Sequence, residues 1–81
     1  MSQKLAKLIE EDKEYLFQNY GDRLPVAFIK GDGSYLYDQD NKKYVDLLSG
    51  IAVSSLGHMF PSYQKALHMQ IDRIIHSSNW F

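Results

Sequence analysis

Apolar residues recur at helical spacing from Ser2 to about Asn19. Leu5, Leu8, Ile9, Leu16 and Phe17 form one stripe, and Lys4, Lys7, Glu10, Glu11, Lys13 and Glu14 fill the rest. This predicts an amphipathic helix over residues 1–19, with Ser2 as N-cap and Gly21 as a left-handed C-cap. After a loop punctuated by Gly21 and Pro25 the pattern shortens to strand-like runs at Val26–Ile29, Tyr35–Tyr37 and Lys43–Leu47. Asp32-Gly33 predicts a type I′ hairpin turn between the first two runs, and the polar stretch Asp38–Lys42 a second turn. A three-stranded antiparallel meander over 26–47 follows. From Ser62 to His76, Tyr63, Ala66, Leu67, Ile71, Ile74 and Ile75 fall on one side of a second amphipathic helix, 62–76, with Pro61 suited to its first turn.

Residues 48–61 fit neither period. Ile51-Ala52-Val53 is too short an apolar run for its type to be decided, and Ser49-Gly50 and Ser54-Ser55 flank it with residues that relax or bond their own backbone. The expectation is a buried, irregular connection, with Gly57 supplying backbone freedom or close approach. Irregular backbone among apolar side chains must find specific partners for its N–H and C=O groups, so such a stretch lies against other structure or at a site. An ordinary strand-to-helix connector is the plainer account. The fold class is α+β: helix, three-stranded antiparallel meander, irregular connection, helix.

Composition narrows the class further. The chain has 81 residues, 44% of them hydrophobic and 14% aromatic, which is globular rather than disordered content and fits one domain at most. At this length roughly 60–65% of the unfolded surface is expected to be buried. The absence of cysteine excludes disulfides and thiolate metal ligands and leans towards a reducing compartment. Nine basic against ten acidic side chains give no field for phosphate backbones, so nucleic acid is not an expected partner. No apolar run approaches the ~20 residues that span a bilayer, and no secretory leader is visible; the expected location is the cytoplasm. The last residues, Trp80-Phe81, have no polar tail, and the expectation is a cut within a larger protein.

Several constellations fail as chemistry. Asp38-x-Asp40 invites a calcium loop, but its sixth position is Lys43 and its twelfth Ser49, where glycine and glutamate are needed. Gly31-Asp32-Gly33 lies between strands and not at a helix N-terminus, so it reads as a turn and not as a phosphate cradle. His68, Asp72 and His76 share a helix flank, yet the histidines are separated by about 12 Å of helical rise. His58 has no nucleophile or carboxylate fixed near it by sequence and reads as a hydrogen-bonded structural histidine. The seven lysines lie among polar neighbours or at an exposed turn, and none looks like a Schiff-base amine. No catalytic, cofactor-binding or metal-ligating set is complete within the chain.

Taken together, Leu24-Pro25-Val26-Ala27-Phe28, Gly31-Asp32-Gly33-Ser34, Leu36-Tyr37-Asp38, Tyr44-Val45-Asp46, Ser49-Gly50-Ile51-Ala52-Val53, Leu56-Gly57-His58-x-x-Pro61 and Ser78-Asn79 resemble the amino-terminal segment of acetylornithine aminotransferases. These belong to the ornithine and ω-amino-acid group of class III pyridoxal-phosphate aminotransferases. The resemblance runs from about Tyr20 to Phe81. It implies the amino-terminal part of a fold-type I enzyme roughly five times this length, a homodimer with active sites at the subunit interface. Such enzymes move an amino group between an ω-amino donor and 2-oxoglutarate through pyridoxal phosphate, and the acetylornithine enzymes serve arginine biosynthesis. The resemblance places the cofactor lysine and its supporting groups beyond Phe81. What carries over is substrate-pocket lining: Tyr20 at the entrance, Gly50, Ile51 and Val53 near the interface, and Asn79 at the mouth. The ornithine enzymes carry a tyrosine where Ile51 stands, so a hydroxyl contact is absent here, and Met59-Phe60 departs from the family's usual residues after Gly-His.

The expectation is therefore an aminotransferase segment, inactive and binding no cofactor alone, whose partners are the rest of the enzyme and a second subunit. The alternative is a free-standing α+β interaction module that binds a partner through its apolar surface.

Overall fold

The first apolar stripe forms helix α1 (Gln3–Tyr15) in a computed structural model that describes residues 2–81. Met1, the first residue of the predicted helix, lies outside the described residues. Ser2 caps α1 as expected, its Oγ accepting the Leu5 N–H at 3.3 Å. The helix ends at Tyr15 rather than Asn19. Leu16 turns extended, its N–H closing the last turn on the Asp12 carbonyl at 3.0 Å, and the Gln18 side-chain amide donates to the Asp12 and Leu16 carbonyls at 3.0 and 2.9 Å. Arg23 Nη1 reaches both carboxylate oxygens of Asp12, at 2.9 and 3.0 Å, and draws the loop back along the helix. Gly21 has a positive φ of 72°, but it stands in that loop and caps nothing.

The meander is present, with antiparallel order β1-β2-β3 over β1 (Phe28–Asp32), β2 (Tyr35–Asp38) and β3 (Lys43–Val45). The first strand starts two residues later than expected. Val26 N–H closes a tight turn onto the Leu24 carbonyl (2.8 Å) and Ala27 N–H goes to the Gln39 side chain (3.0 Å), so neither is free for the ladder. Asp32 pairs with Tyr35, which makes Gly33-Ser34 the two-residue turn in place of Asp32-Gly33. Only Gly33 has positive φ (57°), the pattern of a type II′ rather than a type I′ turn. β3 stops at Val45, short of Leu47, because the Asp46 carboxylate captures the backbone that follows.

Asp38 is buried and organises the second turn. Its Oδ1 accepts the N–H groups of Asp40 and Lys42, both at 2.9 Å, and its Oδ2 accepts the Tyr44 hydroxyl at 3.0 Å. Burial pushes this carboxyl up, but the Lys42 and Asp40 N–H groups, the Tyr44 hydroxyl and the Lys42 charge outweigh it and leave it below the ordinary carboxylate value. One carboxylate oxygen is thus spent on the turn and the other on the β3 tyrosine. Tyr44 also meets Phe28 edge-to-face, with ring centroids 5.5 Å apart, tying β3 across to β1.

The last helix, α2 (Pro61–Ile71), begins with Pro61 in its first turn as expected and ends at Ile71 rather than His76. The Gln70 side chain donates to the Ile74 carbonyl at 3.0 Å, and Ile74 and Ile75, 53% and 85% exposed, have nothing to pack against. That isolation is general: among the described residues, α1 and α2 pack on neither the sheet nor each other. The apolar core among them is Leu5 alone. The radius of gyration is 15.9 Å, against about 12 Å for a compact chain of this length. Accessible surface is 7629 Å², where a compact 9.4 kDa chain exposes about 5,000 Å². Burial therefore reaches only about 44% of the unfolded surface, below the 60–65% expected from length.

Candidate functional site

The irregular connection 48–61 is built around four consecutive residues with positive φ: Ser49 (54°), Gly50 (61°), Ile51 (70°) and Ala52 (61°). They form a left-handed helical turn, Ser49–Ala52. Ile51 and Ala52 N–H groups donate to the Leu48 carbonyl at 3.0 and 2.9 Å, and those of Val53 and Ser54 to the Ser49 carbonyl at 2.8 and 2.9 Å. Gly50 takes this conformation freely, whereas each L-residue in it costs about 1–2 kcal/mol. Ser49, Ile51 and Ala52 together store about 3–6 kcal/mol, comparable with the whole net stability of a small domain. Such a run persists only where its surroundings over-determine it.

Two residues do so. Asp46 leaves β3 with Oδ1 accepting the N–H groups of Leu48 (3.1 Å) and Ser49 (2.8 Å), which fixes the entry to the turn. Its Oδ2 lies 2.7 Å from His58 Nε2. The Ser49 N–H, then the His58 ring, hold the Asp46 carboxyl below the ordinary carboxylate value against the burial that would raise it. An ionised carboxylate only accepts, so His58 Nε2 carries the proton and donates. His58 in turn is fixed by its backbone, which exchanges two hydrogen bonds with Gly33 at 2.9 and 2.8 Å. Its ring covers Gly31, where an added Cβ would come within 2.5 Å of the imidazole. Gly57, expected to allow close approach, does so: its Cβ would stand 3.0 Å from the Gly33 carbonyl oxygen.

Among the described residues no nucleophile hydrogen-bonds His58, and the Asp46–His58 pair acts as a clamp on the loop. His58 is hydrogen-bonded, as expected. Its carboxylate partner was missed, since the two residues stand twelve apart. The available signal was an aspartate closing a strand just before Leu-Leu-Ser, where side-chain-to-backbone capture is common.

Of the pocket residues expected by resemblance, Gly50, Ile51 and Val53 share the left-handed turn or its exit, and Ile51 is 80% exposed. Tyr20 lies in the exposed loop after α1, its ring 5.9 Å from the Arg23 guanidinium carbon. Asn79 lies in a turn closed by the Trp80 N–H on Ser78 Oγ (3.1 Å). Among the described residues no hydrogen bond joins these three places. A groove of about 470 Å³ runs between α1 and residues 18–27, lined by Leu5, Leu8, Ile9, Leu24, Pro25 and Val26 among others, and by none of the five. His76 falls beyond α2, so the His68, Asp72, His76 flank is not one helical face, and no group of three potential ligands gathers among the described residues.

Comparison with known proteins gives a consistent picture. The family model "Aminotransferase class-III" matches residues 16–81. The chain is 49% identical over 67 residues to acetylornithine aminotransferase of Aquifex aeolicus, covering 83% of this chain and 18% of that protein. It is 46% identical over 69 residues to the acetylornithine aminotransferase of Clostridium acetobutylicum, covering 85% and 18%. Among solved structures, acetylornithine aminotransferase from Elizabethkingia anophelis superposes with a TM-score of 0.84 at 30% identity, over 99% of this chain and 20% of that one. The Toxoplasma gondii ornithine aminotransferase with partial occupancy of PLP at its active site gives 0.80 at 31%, over 95% and 18%. The chain thus spans about 18% of the length of the curated relatives it matches.

Proposed function

This chain belongs to the class-III aminotransferases, and on that premise we propose that it is the amino-terminal portion of an acetylornithine:2-oxoglutarate aminotransferase of arginine biosynthesis. The observation that carries the donor assignment is the 49% and 46% identity to acetylornithine enzymes. The strained turn supports the location of the site, because backbone held in sparsely populated regions clusters where ligands are bound. In this reading Gly50, Ile51 and Val53 line the amino-donor pocket, Tyr20 stands at its entrance and Asn79 at its mouth. The open faces of α1, α2 and the sheet pack against the rest of the enzyme and a second subunit, and the enzyme works in the cytoplasm as a homodimer. The match over 16–81 does not favour a free-standing interaction module.

Pyridoxal phosphate supplies the electron sink for amino-group transfer in such an enzyme. The residues of this chain do not themselves form a site for it. All seven lysines are exposed, with no desolvated amine, and the Asp38 and Asp46 carboxylates already spend both oxygens internally. The role left to this segment is to shape the pocket wall, not to carry the chemistry.

The test is a pair of assays with N-acetylornithine and 2-oxoglutarate. The complete enzyme that continues from these residues is expected to transaminate. The purified 81-residue chain is expected to show no turnover and no saturable cofactor absorbance band. Turnover by the 81-residue chain alone would overturn the proposal.

A further inference from the structure

The left-handed turn and its exit carry the three pocket residues Gly50, Ile51 and Val53, yet the groups that hold the turn are outside the pocket. Asp46 and His58 stand at the two ends of the segment that contains Gly50, Ile51 and Val53. One carboxylate oxygen, Oδ1, grips the entry through the Leu48 and Ser49 N–H groups at 3.1 and 2.8 Å. The other, Oδ2, takes the His58 Nε2–H at 2.7 Å, and His58 is anchored to the hairpin by two backbone hydrogen bonds with Gly33. The exit of the segment is thereby tied to its entry across the sheet edge. Asp46 is the more enclosed partner, its side chain 8% exposed against 25% for His58, so the closure is shielded from competing water.

Ile51 makes this closure necessary. A β-branched residue at φ 70° is a steric outlier, and it is 80% exposed, so packing within the chain does not hold it there. Ala52 at φ 61° has the same preference for leaving the left-handed region. If either end of the loop is released, both residues relax and the Ile51 side chain changes direction. We propose that Asp46 and His58 are positioning residues of the amino-donor pocket: they close the 46–58 loop and keep Ile51 aimed at the donor without touching it. This rests on the reading that residues 50, 51 and 53 line that pocket.

A pair that only stabilises the fold would lower activity through loss of folded enzyme, whereas a pair that aims a binding residue changes KM and leaves the chemical step. The experiment uses the complete enzyme with four variants: Asp46→Ala, His58→Ala, His58→Gln and the double variant Asp46→Ala with Ala52→Gly. Asp46→Ala and His58→Ala are expected to raise KM for N-acetylornithine roughly tenfold, the size of losing one charge-assisted contact, with kcat within about threefold of wild type. His58→Gln keeps an N–H able to reach Asp46 and is expected to recover most of that loss. Ala52→Gly removes the steric penalty of the left-handed turn and is expected to recover about fivefold in the Asp46→Ala background.

Unchanged KM in both alanine variants, or no recovery on Ala52→Gly, overturns the proposal while the aminotransferase reading stands. Wild-type enzyme without activity towards any ω-amino donor would refute that reading, and the proposal with it. Should Asp46→Ala fail to assemble, the comparison of His58→Ala with His58→Gln decides the matter, since both keep the Asp46 grip on Leu48 and Ser49.

Discussion

Gly31→Ala is the sharpest probe of how His58 is seated. A Cβ added at Gly31 would stand 2.5 Å from His58 Cγ, 2.7 Å from its Cβ and 3.0 Å from Cδ2. Carbon atoms in contact are about 3.5–4.0 Å apart, so the ring must withdraw by about 1 Å. It has little room to do so. Its backbone is paired to Gly33 at 2.9 and 2.8 Å, and its Nε2 would lose the 2.7 Å contact with Asp46. Forcing a methyl into such a contact costs about 1–3 kcal/mol. That is about 5- to 150-fold in a local opening equilibrium.

The assay is native-state hydrogen exchange in the complete enzyme, read at the Gly33 and His58 amides, because local opening is measurable there without global two-state unfolding. Gly31→Ala is expected to speed both amides within that range. In a His58→Ala background the obstacle is gone, and the same substitution should change exchange by less than about threefold, since alanine at a compatible strand position is neutral or mildly favourable. Equal effects in the two backgrounds would refute the claim that Gly31 exists to admit the imidazole, and unchanged protection in the single variant would do the same.

Two further outcomes follow from the fold. The isolated 81-residue chain, with Leu5 as its apolar core among the described residues, should show a flat near-ultraviolet circular dichroism spectrum and no cooperative thermal transition; a sharp transition would restore weight to a self-sufficient module. Acid should loosen the hairpin and the left-handed turn together. Asp38 and Asp46 both have lowered folded-state values, so their contribution is present above the unfolded carboxylate value of about 3.9 and is lost as pH falls through the folded ones. Asp46→Asn should flatten the fall of the enzyme's thermal midpoint below about pH 4, and an unchanged acid limb would count against the assignment.

The meander was legible because alternation at Tyr35–Tyr37 and Lys43–Val45 has no other good reading, and its order followed from two polar turns. The hairpin turn was misplaced by one residue because both Asp32-Gly33 and Gly33-Ser34 satisfy the local chemistry. The observed register places Gly31 under His58 and Gly33 beside it, a demand made by a residue more than twenty positions away. Local pattern holds no record of that demand. The central stretch is irregular as expected but not buried as expected, since none of residues 48–61 is buried and Ile51 is 80% exposed with no covering surface among the described residues. Its left-handed form was not legible because no propensity favours Ile51 at positive φ. Asp46 and His58 close that loop, and although the motifs contain both residues, nothing local records that they bond each other across twelve positions.

Helix ends show the same division between pattern and partner. Periodicity identified which faces of α1 and α2 are apolar, and it continued past the true ends of both, to Phe17 and Ile75. The pattern predicts a glycine stop for α1, yet each helix stops where a glutamine amide bonds carbonyls of the last turn or just beyond: Gln18 on Asp12 and Leu16, Gln70 on Ile74. Side-chain hydrogen bonds to nearby backbone groups offer the chain an alternative to another helical turn. Phe17 at 91% exposure and Ile75 at 85% bury almost nothing, so no packing opposes those bonds at either end. An apolar stripe therefore states which face a partner surface would cover, and it does not state how far the helix runs.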